Sequence, residues 1–175
     1  GVLDLNGFDQ TIGALSSGST GLTDALTNRL GSGFVGNSAT VLSRLSVGKG
    51  DGSGVYGGVI QGNIVLTKVG TGVQTLTNAN TYNGGTVVEA GKLEVVPLAQ
   101  GSPFGTGNVE MKGGTLQLTG IAGGETNTTV PELKVSAPSV VAVDATASGD
   151  KTRLTLGVLK RTDGMLTLVS TTGPL

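Results

Sequence analysis

Gly91–Lys92–Leu93–Glu94–Val95, Gly107–Asn108–Val109–Glu110–Met111 and Gly114–Thr115–Leu116–Gln117–Leu118 share one pattern, Gly–x–apolar–x–apolar. The same pattern stands at Gly1–Leu5, Gly62–Leu66 and Gly164–Leu168, and Leu3, Leu93, Leu116 and Leu166 fill its first apolar position. Successive side chains on a strand point to opposite faces, so alternate residues share a face. Each unit reads as a turn glycine followed by a short strand whose two apolar residues face inward. Working outward, the same alternation predicts strands at Val2–Asn6, Asn63–Lys68, Lys92–Val96, Val109–Met111, Thr115–Thr119, Arg153–Leu156 and Met165–Val169. Clusters at Gly48–Gly54, Asn83–Gly85, Gly101–Gly107 and Gly123–Gly124 predict the turns between them.

Composition narrows what such strands can build. The 175 residues include 32 Gly, 24 Thr and 13 Ser, but only three Phe, two Tyr and no Trp. With no Cys and no His there is no disulfide framework, no thiolate or imidazole metal site and no Ser–His or Cys–His nucleophile pair. A net charge of −1 with so few aromatics lacks the basic face and stacking platforms of a nucleic-acid binder. Charged residues make up 13% of the chain, and Val, Ile and Leu are plentiful, which argues against disorder. No stretch approaches the roughly 20 apolar residues that a membrane-spanning helix needs.

Short strands with glycine turns suit a sandwich, a barrel or a solenoid. Sandwich cores lean on bulky side chains such as a buried Trp. Hairpin barrels favour two-residue turns, and Asn6–Gly7, Asn83–Gly84, Asp51–Gly52 and Asp163–Gly164 keep that option open. The recurrence of Gly-led strands with Thr, Asn and Val between them favours stacked coils. At roughly 20 residues per coil and about 4.8 Å between strands, eight or nine coils would form a rod of about 40 Å. Leu22, Ala25, Leu26 and Leu30 have helical spacing, so residues 22–36 read as an excursion from the rod.

The run from Leu66 to Leu93, with Leu66–Thr67–Lys68, Gly70–Thr71–Gly72 and Asn80–Thr81–Tyr82–Asn83–Gly84–Gly85–Thr86, resembles the passenger-associated repeat of autotransporters. Leu3–Gly13 and Gly113–Leu118 are similar to shorter passenger segments. The resemblance implies a right-handed parallel β-helix, secretion to the bacterial cell surface and a role in passing or displaying a passenger. It does not imply an enzyme. Asn80, Tyr82, Gly84 and Gly85 then read as a structural corner, with Asn78, Asn80 and Asn83 in turn or internal ladders. Residues 132–175 are β-patterned but match the repeat poorly.

Several motifs invite chemistry. Gly31–Ser32–Gly33–Phe34–Val35–Gly36 is a literal GxGxxG, yet it lacks the preceding strand and following helix of a dinucleotide fold. Gly48–Gly54 resembles one unit of a calcium-binding repeat, with Asp51 its candidate ligand, but calcium needs six to eight oxygens from tandem units. Asp4, Glu94 and Glu110 occupy outward strand positions, where stacking would place them in a carboxylate ladder. A polysaccharide-degrading hydrolase or lyase on a β-helix would need such a pair, with hydrolase carboxylates about 5 to 9.5 Å apart. Outward charges that keep a strand face wet are the commoner arrangement.

The expectation is an all-β, right-handed parallel β-solenoid of short strands and Gly-rich turns, one segment over 1–175 with its repeat-like core at 62–118. Its role would be structural, with no catalytic residue and no cofactor. Neither end looks capped, so the expected partners are neighbouring coils or identical subunits end to end, and a cell-surface glycan or matrix.

Overall fold

The computed structural model describes residues 2–17, 33–96, 102–121, 124–145 and 151–171. It is all-β apart from a single 3-10 turn at Lys49–Asp51, and every strand pairing is parallel. Three sheets account for the strands. Sheet I holds β1 (Val2–Asp4), β3 (Phe34–Gly36), β6 (Val59–Gly62) and β9 (Thr81–Tyr82). Sheet II holds β2 (Gln10–Ile12), β4 (Ser43–Val47), β7 (Ile64–Lys68), β10 (Thr86–Val88), β12 (Val109–Met111), β14 (Glu125–Val135) and β16 (Lys151–Arg161). Sheet III holds β5 (Gly54–Tyr56), β8 (Val73–Leu76), β11 (Lys92–Val95), β13 (Thr115–Thr119), β15 (Ser139–Asp144) and β17 (Leu166–Thr171).

From β3 to β11 the chain visits the sheets in rotation, I to II to III, and each strand pairs with the strand one circuit on. Parallel pairing leaves equivalent side chains in stacked columns. Leu45, Leu66, Thr86, Val109 and Leu133 form one inward column on sheet II. Gln74, Leu93, Leu116 and Val141 form another on sheet III. Eight of these nine are at most 1% exposed, and Val141 is 2% exposed. Burying a Leu or Val in this way contributes about 1.5–3 kcal/mol each, enough for a thin core without Trp. The inward reading of the Gly-led strands holds at Ile64, Leu66, Leu93, Val95, Val109, Met111, Leu116 and Leu118, all buried. Leu3 and Leu168 share inward columns with buried Val35 and Val141 but are 43% and 66% exposed, because β1 and β17 have a paired neighbour on one side only among the described residues.

Sheet II contains seven strands, so the described residues make seven circuits rather than eight or nine. The regular step is 20 residues, as from Leu66 to Thr86, but it lengthens to 23, 24 and 26 from Thr86 to Val109, Leu133 and Leu159. Sheet I stops at β9. In the next circuit residues 102–106 take its place, bonded through Asn80 N to Ser102 O (3.0 Å) and Thr106 N to Tyr82 O (2.9 Å), with Phe104 buried. β14 then runs for 11 residues, and its buried alternation of Thr126, Thr128 and Val130 shifts by one at Pro131 to Leu133 and Val135. The helical stretch expected at Leu22–Leu30 lies outside the described residues. Phe34–Gly36 of the GxGxxG is strand β3, followed by a turn and another strand. The amides of Phe34–Gly36 belong to a paired strand, and Gly31 and Ser32 of the motif lie outside the described residues.

Candidate functional site

The repeat run spans one circuit, and its marked residues hold that circuit to its neighbours. Asn80 is buried; its Oδ1 accepts from Ile60 N (2.8 Å), and its Nδ2 donates to Asn78 O (3.1 Å) and Pro103 O (2.8 Å). One side chain thereby ties three successive circuits. Tyr82 is fully buried with its hydroxyl 2.6 Å from Thr86 Oγ1, and burial pushes its pKa well above the ordinary tyrosine value. A Cβ on Gly84 would lie 2.5 Å from Ile64 O, and one on Gly85 (φ +93°) 2.7 Å from Asn108 O. Both glycines are therefore demanded by the backbone of adjacent circuits. Asparagines also link circuits: Asn83 Nδ2 donates to Asn63 Oδ1 (2.9 Å), and Asn37 Nδ2 donates to Asn63 O (2.8 Å).

At the corner between sheets II and III, Lys68 occupies an inward column between Val47 and Val88. It is fully buried, and its Nζ donates to Val69 O (2.6 Å), Gly70 O (2.9 Å) and Ala90 O (3.4 Å). Burial pulls its pKa below the ordinary lysine value, while the Asp51 carboxylate pulls it back up. Asp51 Oδ1 accepts from Thr71 N (2.7 Å), which lowers the Asp51 pKa and fastens the 48–54 loop to the next circuit. Asp51 is thus occupied by an amide. Among the described residues no group of three acidic side chains could hold a metal ion.

Asp4, Glu94 and Glu110 do not form a ladder: they lie on sheets I, III and II respectively. Alternation places each outward, but on different faces. Glu94 accepts from Thr75 Oγ1 (3.0 Å) and Thr119 Oγ1 (3.4 Å), within a polar face that includes Lys92 donating to Gln117 Oε1 (2.9 Å). Glu110 is paired with Lys134 (2.9 Å) and Lys112 (3.6 Å), and the hydrogen bond from Lys134 leads in lowering its pKa. Glu132 pairs with Lys160 at 2.6 Å. Glu110 and Glu132 line one cavity on sheet II together with Lys134, and each is paired with a lysine.

The outer face of sheet I is different. Asp4, Gly36, Gln61 and Thr81 stack in register along the axis, and Val2, Phe34 and Val59 form a parallel apolar column. Because Gly36 has no side chain, the first column is interrupted by a cavity of about 380 Å³, walled by Asn37 and Ser38. A Cβ at Gly36 would meet only the Gln61 side chain, Cγ at 3.9 Å and Nε2 at 4.0 Å, so the space lies on the solvent side. Sequence reading named Asp4 but missed Gly36 as a groove floor and Gln61 altogether. Gly36 sat inside the GxGxxG, and only the register brings Gln61 beside it.

Comparison with known proteins places this architecture. The family model described as passenger-associated-transport-repeat matches residues 66–95, the circuit whose corners are described above. The chain is a passenger-repeat protein, secreted and displayed at the bacterial cell surface. Among curated relatives it is similar to the adhesin BmaC autotransporter of Brucella suis biovar 1 (strain 1330), with 34% identity over 129 residues. That alignment covers 68% of this chain and 3% of the relative, so the chain spans a small fraction of that protein's length. No solved structure matches. No helix among the described residues is long and apolar enough to cross a membrane.

Proposed function

We propose that the chain is a segment of a right-handed parallel β-solenoid, which extends and displays a surface and adheres through that surface rather than catalysing a reaction. The observation that carries this reading is the coincidence of one passenger repeat with one circuit through three parallel sheets. The relative's description as an adhesin supports the adhesive part. The separation of Asp4, Glu94 and Glu110 onto three faces disfavours the glycosidase alternative, which needs paired carboxylates. Display of the chain on a non-adherent bacterium tests the reading. Adherence to cultured cells or matrix above the background of the undecorated strain is expected, and its absence would remove the adhesive role.

A second reading concerns assembly. Leu159 and Leu168 face inward on β16 and β17 yet are 54% and 66% exposed. Each of these strands has one paired neighbour among the described residues. The partner that fits this edge is a further solenoid coil, whether of the same chain or of an identical subunit stacked end to end. Negative-stain microscopy and sedimentation over a dilution series separate these cases: constant-width filaments support stacking of subunits, and a concentration-independent monomer rejects it.

A further inference from the structure

We propose that the groove on the outer face of sheet I is a saccharide-binding cleft, which takes a neutral oligosaccharide lying along the stacking axis. This deepens the adhesive reading and rests on it. The groove lies on the face of the sheet, where backbone groups are committed to the ladder, so side chains alone read the ligand. That disfavours a peptide strand, which would need an open edge.

The side chains suit a hydroxyl-rich ring. Gln61 and Thr81 present a carboxamide and a hydroxyl that make no hydrogen bond within the described residues, and both are exposed. Asp4 is already oriented: its Oδ1 accepts from Asn6 N and Ser38 N, each at 3.0 Å. Asn37 forms a fixed wall, with its oxygen accepting from Gly7 N (2.9 Å) and its nitrogen donating to Val41 O (2.7 Å). Phe34, 39% exposed, lies two residues before Gly36 on the same face, where an aromatic ring offers an apolar surface to the C–H side of a sugar. Stacked strands repeat at about 4.8 Å, close to the length of one pyranose ring, so successive rings would meet successive circuits. The lining residues include one carboxylate and no cation, which favours neutral sugars over uronates.

The test is binding of the purified chain to immobilised neutral hexose, N-acetylhexosamine and uronate oligosaccharides. The neutral probes should retain the chain and the uronates should not. A Cβ at Gly36 meets no backbone atom within 4 Å, so Gly36→Val should fill the floor and abolish retention. Gln61→Ala should weaken it roughly fivefold to tenfold by removing one hydrogen-bonding group. Lys134→Ala, on sheet II, should bind like the wild type, and thermal unfolding of each variant controls for folding. No retention by any neutral probe would overturn the cleft, as would a folded Gly36→Val chain that binds undiminished. If displaying bacteria adhere and Gly36→Val leaves both adherence and binding intact, the cleft falls and the adhesive reading stands. If neutral saccharides bind in a Gly36-dependent way but display confers no adherence, the site stands and the adhesive role falls.

Discussion

At the scale of single residues, the repeat is a set of solutions to close stacking. Gly70 and Gly50 both have positive φ, +66° and +65°, but their surroundings differ. A Cβ on Gly70 would lie 2.0 Å from Gly48 O, whereas one on Gly50 would meet nothing within 4 Å. Gly50→Ala should therefore cost about 1 kcal/mol, the conformational term alone. Gly70→Ala must also push two circuits apart and should cost more than about 3 kcal/mol. Urea unfolding of the two variants checks the difference, and equal losses would contradict the stacking account. Gly50 was legible as a turn residue from the Gly48–Gly54 cluster, whereas Gly70 stood out only within the run that resembles the passenger repeat. The burial of Lys68 was not legible, because alternation marks position 68 as inward but cannot foresee that three carbonyls will receive an ammonium there.

Among the strands, alternation separates inside from outside well and says nothing about which of three faces a strand joins. That is why β7, β11, β12 and β13 were read with the right buried residues, while Asp4, Glu94 and Glu110 were expected in one ladder. Short strands such as β9, only two residues long, carry too little alternation to be seen at all. β14 escaped for the opposite reason, since Pro131 shifts its phase midway. The salt-bridge column on sheet II yields a pH prediction. Glu110 has a folded pKa below its ordinary value of 4.5, chiefly through Lys134, so its contribution is present above that value. It is lost as pH falls through the lowered folded pKa. Stability should decline below about pH 4.5, and Glu110→Gln should make that decline shallower. Because Glu110 is partly exposed, the difference should be small and reduced by salt. A Glu110→Gln chain with an unchanged acid limb would show that the pair contributes nothing measurable.

For the molecule as a whole, a uniform 20-residue step overestimates the number of circuits among the described residues, because the circuits lengthen in the second half. Seven circuits at about 4.8 Å span about 30 Å, so any long rod must come from many such segments in series. The groove on sheet I was illegible for a related reason: Asp4, Gly36, Gln61 and Thr81 are far apart in sequence and meet only through stacking. That stacking register sets both the core and the groove, and the chain's lack of cysteine permits a clean test of it. Thr75 and Glu94 are paired residues on neighbouring strands of sheet III, whereas Glu94 and Glu110 lie on different sheets. Cysteines introduced as Thr75→Cys with Glu94→Cys should form an intramolecular disulfide under mild oxidation, read by mass spectrometry of the monomer. Glu94→Cys with Glu110→Cys should remain reduced. Closure of the second pair without the first would contradict the register on which the whole account rests.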